Sequence, residues 1–255
     1  MACIRGRRRS LIPRLSSLLL ALALSGCGRA LGQRTDLPEG ESPADLYVDL
    51  ATEYVQRGQL ETALERAQQA VATDHRSARA HYILAIVQER LGQREEAQRA
   101  FAKAVKRAPE NPDYRNAWGA VLCAEGRYDD GLAEIQTALA EPLYQGRETA
   151  LMNAADCSRR AGRDADVHRY LQEALARDPR FPPALLALAK RHYRQGDYHS
   201  ARSLMARYSH TSATTPAALL LAARIERQLG NEQLARALER TLRQRFPHSP
   251  EVIEL

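Results

Sequence analysis

Residues 78–97 read ARAHYILAIVQERLGQREEA. Ala78 to Arg90 is a run of strong helix formers, Gly92 breaks it, and a second helical run begins at Arg94. Small residues sit in the middle of the first run at Ala85 and early in the second at Ala97. The frame recurs along the chain. Gly58, Gly92, Gly126, Gly162, Gly196 and Gly230 are spaced 34, 34, 36, 34 and 34 residues apart. A fixed period near 34 residues marks an array of helix–turn–helix units, each too small to bury its own apolar face and dependent on its neighbours.

Setting each glycine at position 15 starts the units near Ala44, Ala78, Pro112, Glu148, Pro182 and Pro216. Position 8 is then Ala51, Ala85, Gly119, Ala155, Ala189 and Ala223. Position 20 is Ala63, Ala97, Gly131, Val167, Ala201 and Ala235. Small side chains at both places let the two helices of a unit approach closely. Position 7 is more varied: Leu50, Leu84, Trp118, Ala154, Leu188 and Ala222. Pro109, Pro179 and Pro247 all fall at position 32, where proline stops the second helix. The pattern resembles the tetratricopeptide repeat. It implies an all-α, right-handed superhelical solenoid of six repeats with a concave inner surface, units near 44–77, 78–111, 112–147, 148–181, 182–215 and 216–249, within a domain of residues 44–255. Glu226 and Glu239 take usually apolar positions in the sixth unit and are read as a polar outer face that terminates the stack. The tail Glu251–Leu255 is read as a short cap.

The net charge of +6 misleads. Arg5, Arg7, Arg8, Arg9 and Arg14 crowd the first 26 residues, which hold no acid; beyond them stand 32 basic and 31 acidic residues. The working domain therefore lacks the basic excess of a nucleic-acid binder. The arginines precede an apolar run, Leu18 to Leu24, and then Ser25-Gly26-Cys27. This order reads as a bacterial secretory signal over residues 1–26, too short for a comfortable membrane span. Its end resembles a lipobox, in which Cys27 would be acylated and become the new N-terminus; an ordinary secretory signal with a chance cysteine is the alternative. Several acyl chains would anchor stably. Gly28, where an Asp would resemble an inner-membrane retention signal, points to the outer membrane. Residues 27–43, with Gly32, Pro38, Gly40 and Pro43, read as a tether between anchor and repeats.

Two cysteines remain in the repeats, Cys123 and Cys157, on the first helices of units three and four. In an oxidising compartment a disulfide is expected, two small apolar core thiols being the other reading. The chain has no phosphate-cradling glycine loop, no His-Glu-x-x-His and no Cys-x-x-Cys. His192 lies among apolar positions and is read as a core or rim histidine. No enzyme activity, metal, cofactor, nucleic acid or small-molecule substrate is expected.

In this repeat class, positions 2, 5, 9, 12 and 13 of each first helix line the concave side. Units one and two then offer an apolar half-groove of Val48, Val55, Tyr82 and Ile86, with Glu89 and Arg90, suited to an extended or helical peptide. Units four to six offer a basic half: Arg159, Arg160, Lys190, Tyr193, Arg194, Arg224 and Arg227, opposed by Asp156. The alternative is that solvent-facing positions simply carry arginine in an arginine-rich chain.

The anchor, tether and six repeats together resemble the type IV pilus biogenesis/stability lipoprotein family PilF/PilW. Unit three reads Asn116-Ala117-Trp118-Gly119-Ala120-Val121-Leu122-Cys123-Ala124-Glu125-Gly126-Arg127-Tyr128. That family typically has Asn, an aromatic, Gly, Leu-Cys and Gly-Arg-Tyr there, and a longer Pro-Leu-Tyr connection matching Pro142-Leu143-Tyr144. Asn153 and Cys157 match its next helix, while Trp118, Gly131 and Val167 depart from its commoner residues. The resemblance implies a lipid-anchored, periplasm-facing pilotin whose protein partner is the pilus secretin. Another envelope complex, such as peptidoglycan enzymes or outer-membrane assembly machinery, is the alternative partner.

Overall fold

Each period begins with a helix whose first turn is prepared in the sequence. Proline occupies the first helical position at Pro43, Pro112, Pro182 and Pro216, where its missing N–H costs nothing. Ser42, Ser77, Asn111 and Thr215 accept backbone hydrogen bonds from the following turn, satisfying donors that a helix leaves open. Ser42 and Asp45 complete a reciprocal capping box. The computed structural model describes residues 42–211 and 214–255, all within one unit, Glu39–Leu255. The signal peptide, Cys27 and nearly all of the tether lie outside the described residues.

Six helix pairs follow in order: α1 (Pro43–Gln56) with α2 (Leu60–Thr73), α3 (Ala78–Arg90) with α4 (Arg94–Arg107), α5 (Pro112–Ala124) with α6 (Tyr128–Ala140), α7 (Arg147–Arg160) with α8 (Asp164–Arg177), α9 (Pro182–Arg194) with α10 (Tyr198–Ser209), and α11 (Pro216–Gln228) with α12 (Glu232–Arg245). A final turn, α13 (Pro250–Ile253), packs on α11 and α12. Each second helix also packs on the first helix of the next unit. The described residues form an all-α tetratricopeptide superhelix, as the period predicts.

The turn inside each pair explains the glycine beat. Gly58 adopts φ +72°, a left-handed conformation that costs a side-chain-bearing residue roughly 1–2 kcal/mol. Its N–H donates to Val55 O at 3.1 Å, and Gln59 N donates to Tyr54 O at 2.9 Å. These two bonds close a Schellman motif over the end of α1. The same paired bonds recur at every repeat, down to Gly230 N to Arg227 O and Asn231 N to Glu226 O.

Positions 8 and 20 are buried in all six units. The tightest approach is in unit three, where both are glycine. A Cβ on Gly119 would lie 2.6 Å from the carbonyl oxygen of Gly131, and a Cβ on Gly131 would lie 2.6 Å from that of Gly119. The period reappears in contacts between neighbouring units: Arg79 to Asp45 (3.1 Å), Arg163 to Asp129 (2.6 Å) and Gln136 to Tyr170 (3.0 Å) each join residues 34 apart.

The longer interval has a structural cause. Between α6 and α7 the chain uses residues 141–146, and Tyr144 turns inward until it is only 6% exposed. It joins the core cluster that also holds Leu132, Ile135 and Leu151. Gly146 makes room: a Cβ there would lie 2.7 Å from the Tyr144 hydroxyl. Leu143, two residues after the end of α6's cap, stays 81% exposed.

The terminal unit corrects one expectation. Glu226 and Glu239 form no polar outer face; they are 7% and 8% exposed. Arg202 reaches Glu226 at 3.1 Å, and Asn231 Nδ2 donates to it at 2.7 Å. Arg227 pairs with Glu239. Burying a carboxylate is costly unless it is paired, and these two are paired from other helices or turns.

Candidate protein-binding groove

In the N-terminal half, the first helices place tyrosines where the frame predicts a groove. Tyr82 on α3 is half-buried, stacked against Tyr114 on α5 at 4.6 Å between ring centres, and edge-on to Phe101 at 6.0 Å. Burial pushes its hydroxyl up to about 12, so it stays neutral and available as a donor. Ile86 is half-buried one turn further on, and Arg90 is exposed, its Nη1 donating to Val55 O at 3.1 Å. Glu89 follows on α3, and partial desolvation of its carboxyl by the neighbouring helices raises it above the ordinary value.

Val48 and Val55 do not belong to this surface. They are 3% and 6% exposed, inside the core formed by α1, α2 and α3. Their short side chains are covered by the next unit, whereas Tyr82 at the position equivalent to Val48 is long enough to emerge. Tyr114 takes the place the valines leave. Its signal in the sequence is an aromatic in the first turn of the neighbouring unit.

In the C-terminal half, α7, α9 and α11 bring Arg159, Lys190, Tyr193, Arg194 and Arg224 around one cavity of about 490 Å³. Ala217, Leu220 and Leu221 complete its apolar side, and Glu251 and Glu254 close one rim. A smaller cavity of about 170 Å³ between α7, α8 and α9 shares Arg159, Lys190 and Arg194. Arg159 and Arg160 both bond Asp156, at 2.5 and 2.7 Å. Burial works against the Asp156 charge, but these two arginines win and hold its carboxyl below the ordinary range.

Two arginines of the expected basic half lie elsewhere. Arg160 faces a separate cavity of mixed charge with Glu89, Arg94 and Glu125, which takes it out of the basic run. Arg227 turns to α12, where it pairs with Glu239 and lies 3.8 Å from Glu232. Its charge is used inside the terminal unit.

At the joint between halves, the sulfurs of Cys123 and Cys157 sit at bonding distance, with their Cα atoms 5.3 Å apart. Asn153 Nδ2 donates to Asn116 Oδ1 at 3.0 Å across the same pair of helices. His192 is half-buried and bonds Asp197 through Nδ1 at 3.0 Å. Among the described residues, no group of His, Cys, Asp or Glu side chains is arranged to hold a metal ion, and no helix is long and apolar enough to cross a membrane.

An array of six helix pairs with cavities lined by its first helices defines a helical repeat protein. The chain belongs to the tetratricopeptide repeat family, whose model matches residues 54–119 and 159–225, just over half of it. Among characterised relatives it is similar to the type IV pilus assembly protein PilF of Pseudomonas aeruginosa, 26% identical over 92% of this chain and 94% of that one. Its fold matches the crystal structure of PilW, a type IV pilus biogenesis factor, with TM-score 0.75 and 28% identity over 84% of this chain and 98% of that one. It also matches the structure of Pseudomonas aeruginosa PilF, with TM-score 0.72 and 25% identity over 83% and 95% of the two chains. The protein is thus a PilF/PilW-like tetratricopeptide repeat protein, related to factors of type IV pilus biogenesis.

Proposed function

We propose that this chain is a non-enzymatic, lipid-anchored scaffold on the periplasmic side of the outer membrane. It holds a partner protein along its concave face and helps the type IV pilus secretin assemble and reach the outer membrane, which in turn keeps pili stable. The likeness to PilF over nearly the whole of both chains carries this reading. The order of arginines, leucines and Ser25-Gly26-Cys27 supports the anchor. The approach of Cys123 to Cys157 supports a bridge formed in an oxidising compartment.

The test is genetic and biochemical. Deleting the gene is expected to reduce heat-stable secretin multimers, surface pili and twitching. Normal levels of all three would overturn the pilus reading. Cys27→Ser is expected to release the protein from the membrane fraction and leave it unacylated; a variant still wholly membrane-bound would remove the anchor.

A further inference from the structure

The cavity between α9 and α11 carries more positive charge than its surroundings neutralise. Arg159 is taken up by Asp156, and Arg224 by Glu254 at 2.9 Å. Lys190 and Arg194 are exposed and form no ion pair among the described residues. Both line the larger cavity and the smaller one beside it. The two cavities therefore form one run along α7 and α9, with free cations in the middle and apolar patches at either side. Leu220 and Leu221 stand at one end, and Met152 and Ala187 at the other.

The chain itself shows one carboxylate meeting this surface. After α12 the backbone turns at Pro250 and lays α13 against α11. Glu254 then bonds Arg224, while Glu251 lines the same rim. Ile253 between them is 89% exposed and buries nothing. Val252 and Leu255 are half-buried beside it, and to that modest packing the tail adds an exposed ion pair of the kind worth about 0–1 kcal/mol.

We propose that this cavity is a docking site for an acidic segment of a partner protein, one with apolar residues interspersed, and that α13 occupies its rim until such a segment displaces it. The proposal rests on the scaffold reading and adds the partner's chemistry and a built-in competitor. A peptide fits better than a phosphate-bearing headgroup. A headgroup uses the cations alone, whereas Leu220, Leu221, Met152 and Ala187 offer apolar contacts along a run longer than one group.

The test is fluorescence anisotropy on the full mature chain in detergent, with a labelled peptide copying Pro247–Leu255. The control peptide has both glutamates replaced by lysine. The acidic peptide is expected to bind and the lysine peptide not to. Glu251→Gln with Glu254→Gln should tighten binding about two- to fivefold, the reach of one exposed ion pair. Lys190→Glu with Arg194→Glu should abolish binding with the thermal melt unchanged, and Lys190→Arg with Arg194→Lys should retain it. Equal binding of both peptides, or an unaffected charge-reversal variant, overturns the proposal. So does binding through Lys190 and Arg194 to phosphatidylglycerol vesicles but not to the peptide. Failure here leaves the scaffold reading standing, since secretin multimers in the deletion strain are measured separately.

Discussion

Gly131→Ala sets two opposing effects against each other. In a helix interior, alanine is favoured over glycine by about 1 kcal/mol, so α6 taken alone would gain. In place, the added methyl would lie 2.6 Å from the Gly119 carbonyl oxygen and 3.0 Å from the Cys123 nitrogen, and against Cys123 Sγ, whereas real Cβ atoms essentially never come under 3.0 Å. Two of those neighbours are backbone and the third belongs to the pair that joins units three and four. None can swing aside, so α5 and α6 must separate. Overpacking of this kind costs about 1–3 kcal/mol, and contact with backbone puts it at the upper end. The net expectation is a loss of about 1–2 kcal/mol after the propensity gain. For a domain of this size that lowers Tm by about 2–8 °C. Thermal unfolding followed by circular dichroism under non-reducing conditions measures it. A variant as stable as the parent would show that the helices of unit three are not held at contact, and the packing argument would fail.

Reducing the pair, or Cys123→Ala with Cys157→Ala, should cost about 3–4 kcal/mol for a loop of this length by the chain-entropy model; denaturant titration with and without reductant reads it, and an unchanged midpoint would refute the bridge. Arg227→Ala leaves Glu239 buried without its partner and should cost about 1–3 kcal/mol; adding Glu239→Gln should recover part of that loss in the same titration. His81 is 5% exposed, and burial lowers it below its ordinary 6.5 despite the bond to His75 O. The folded state thus prefers the neutral ring, its contribution is complete above pH 6.5 and is lost as pH falls below that value. Tm measured from pH 8 down to 5.5 should decline more steeply in the parent than in His81→Gln; parallel curves would assign the acid sensitivity elsewhere.

The helical period was legible because the residues that set it act locally. Gly58 and its five equivalents are demanded by a single turn, and the small residues at positions 8 and 20 by contact within one helix pair. The groove was only half legible, because exposure there depends on the next unit. Val48 and Tyr82 share a frame position, yet the valine is covered and the tyrosine emerges. Arg194 and Arg227 look alike in sequence, but Arg227 has a buried carboxylate facing it from α12. Glu226 and Glu239 misled for the same reason: a carboxylate with a partner from another helix or turn reads, in sequence, like one that seeks water. Tyr144 was marked by the odd interval, but not its destination in the core.

The cysteine pair also limits how such an array can change in length. Elsewhere, gaining or losing a whole 34-residue unit leaves every neighbour facing an equivalent neighbour, so the stack can lengthen or shorten without a fault. Between units three and four the proposed bridge would bind the chain to one arrangement. An extra unit inserted there would part Cys123 from Cys157 by the width of further packed helices, each about 8–10 Å across its contact, while a disulfide tolerates no more than about 7 Å between Cα atoms. Insertion is therefore barred at this one seam and open on either side of it, which makes the seam a fixed landmark from which the array can be counted in either direction.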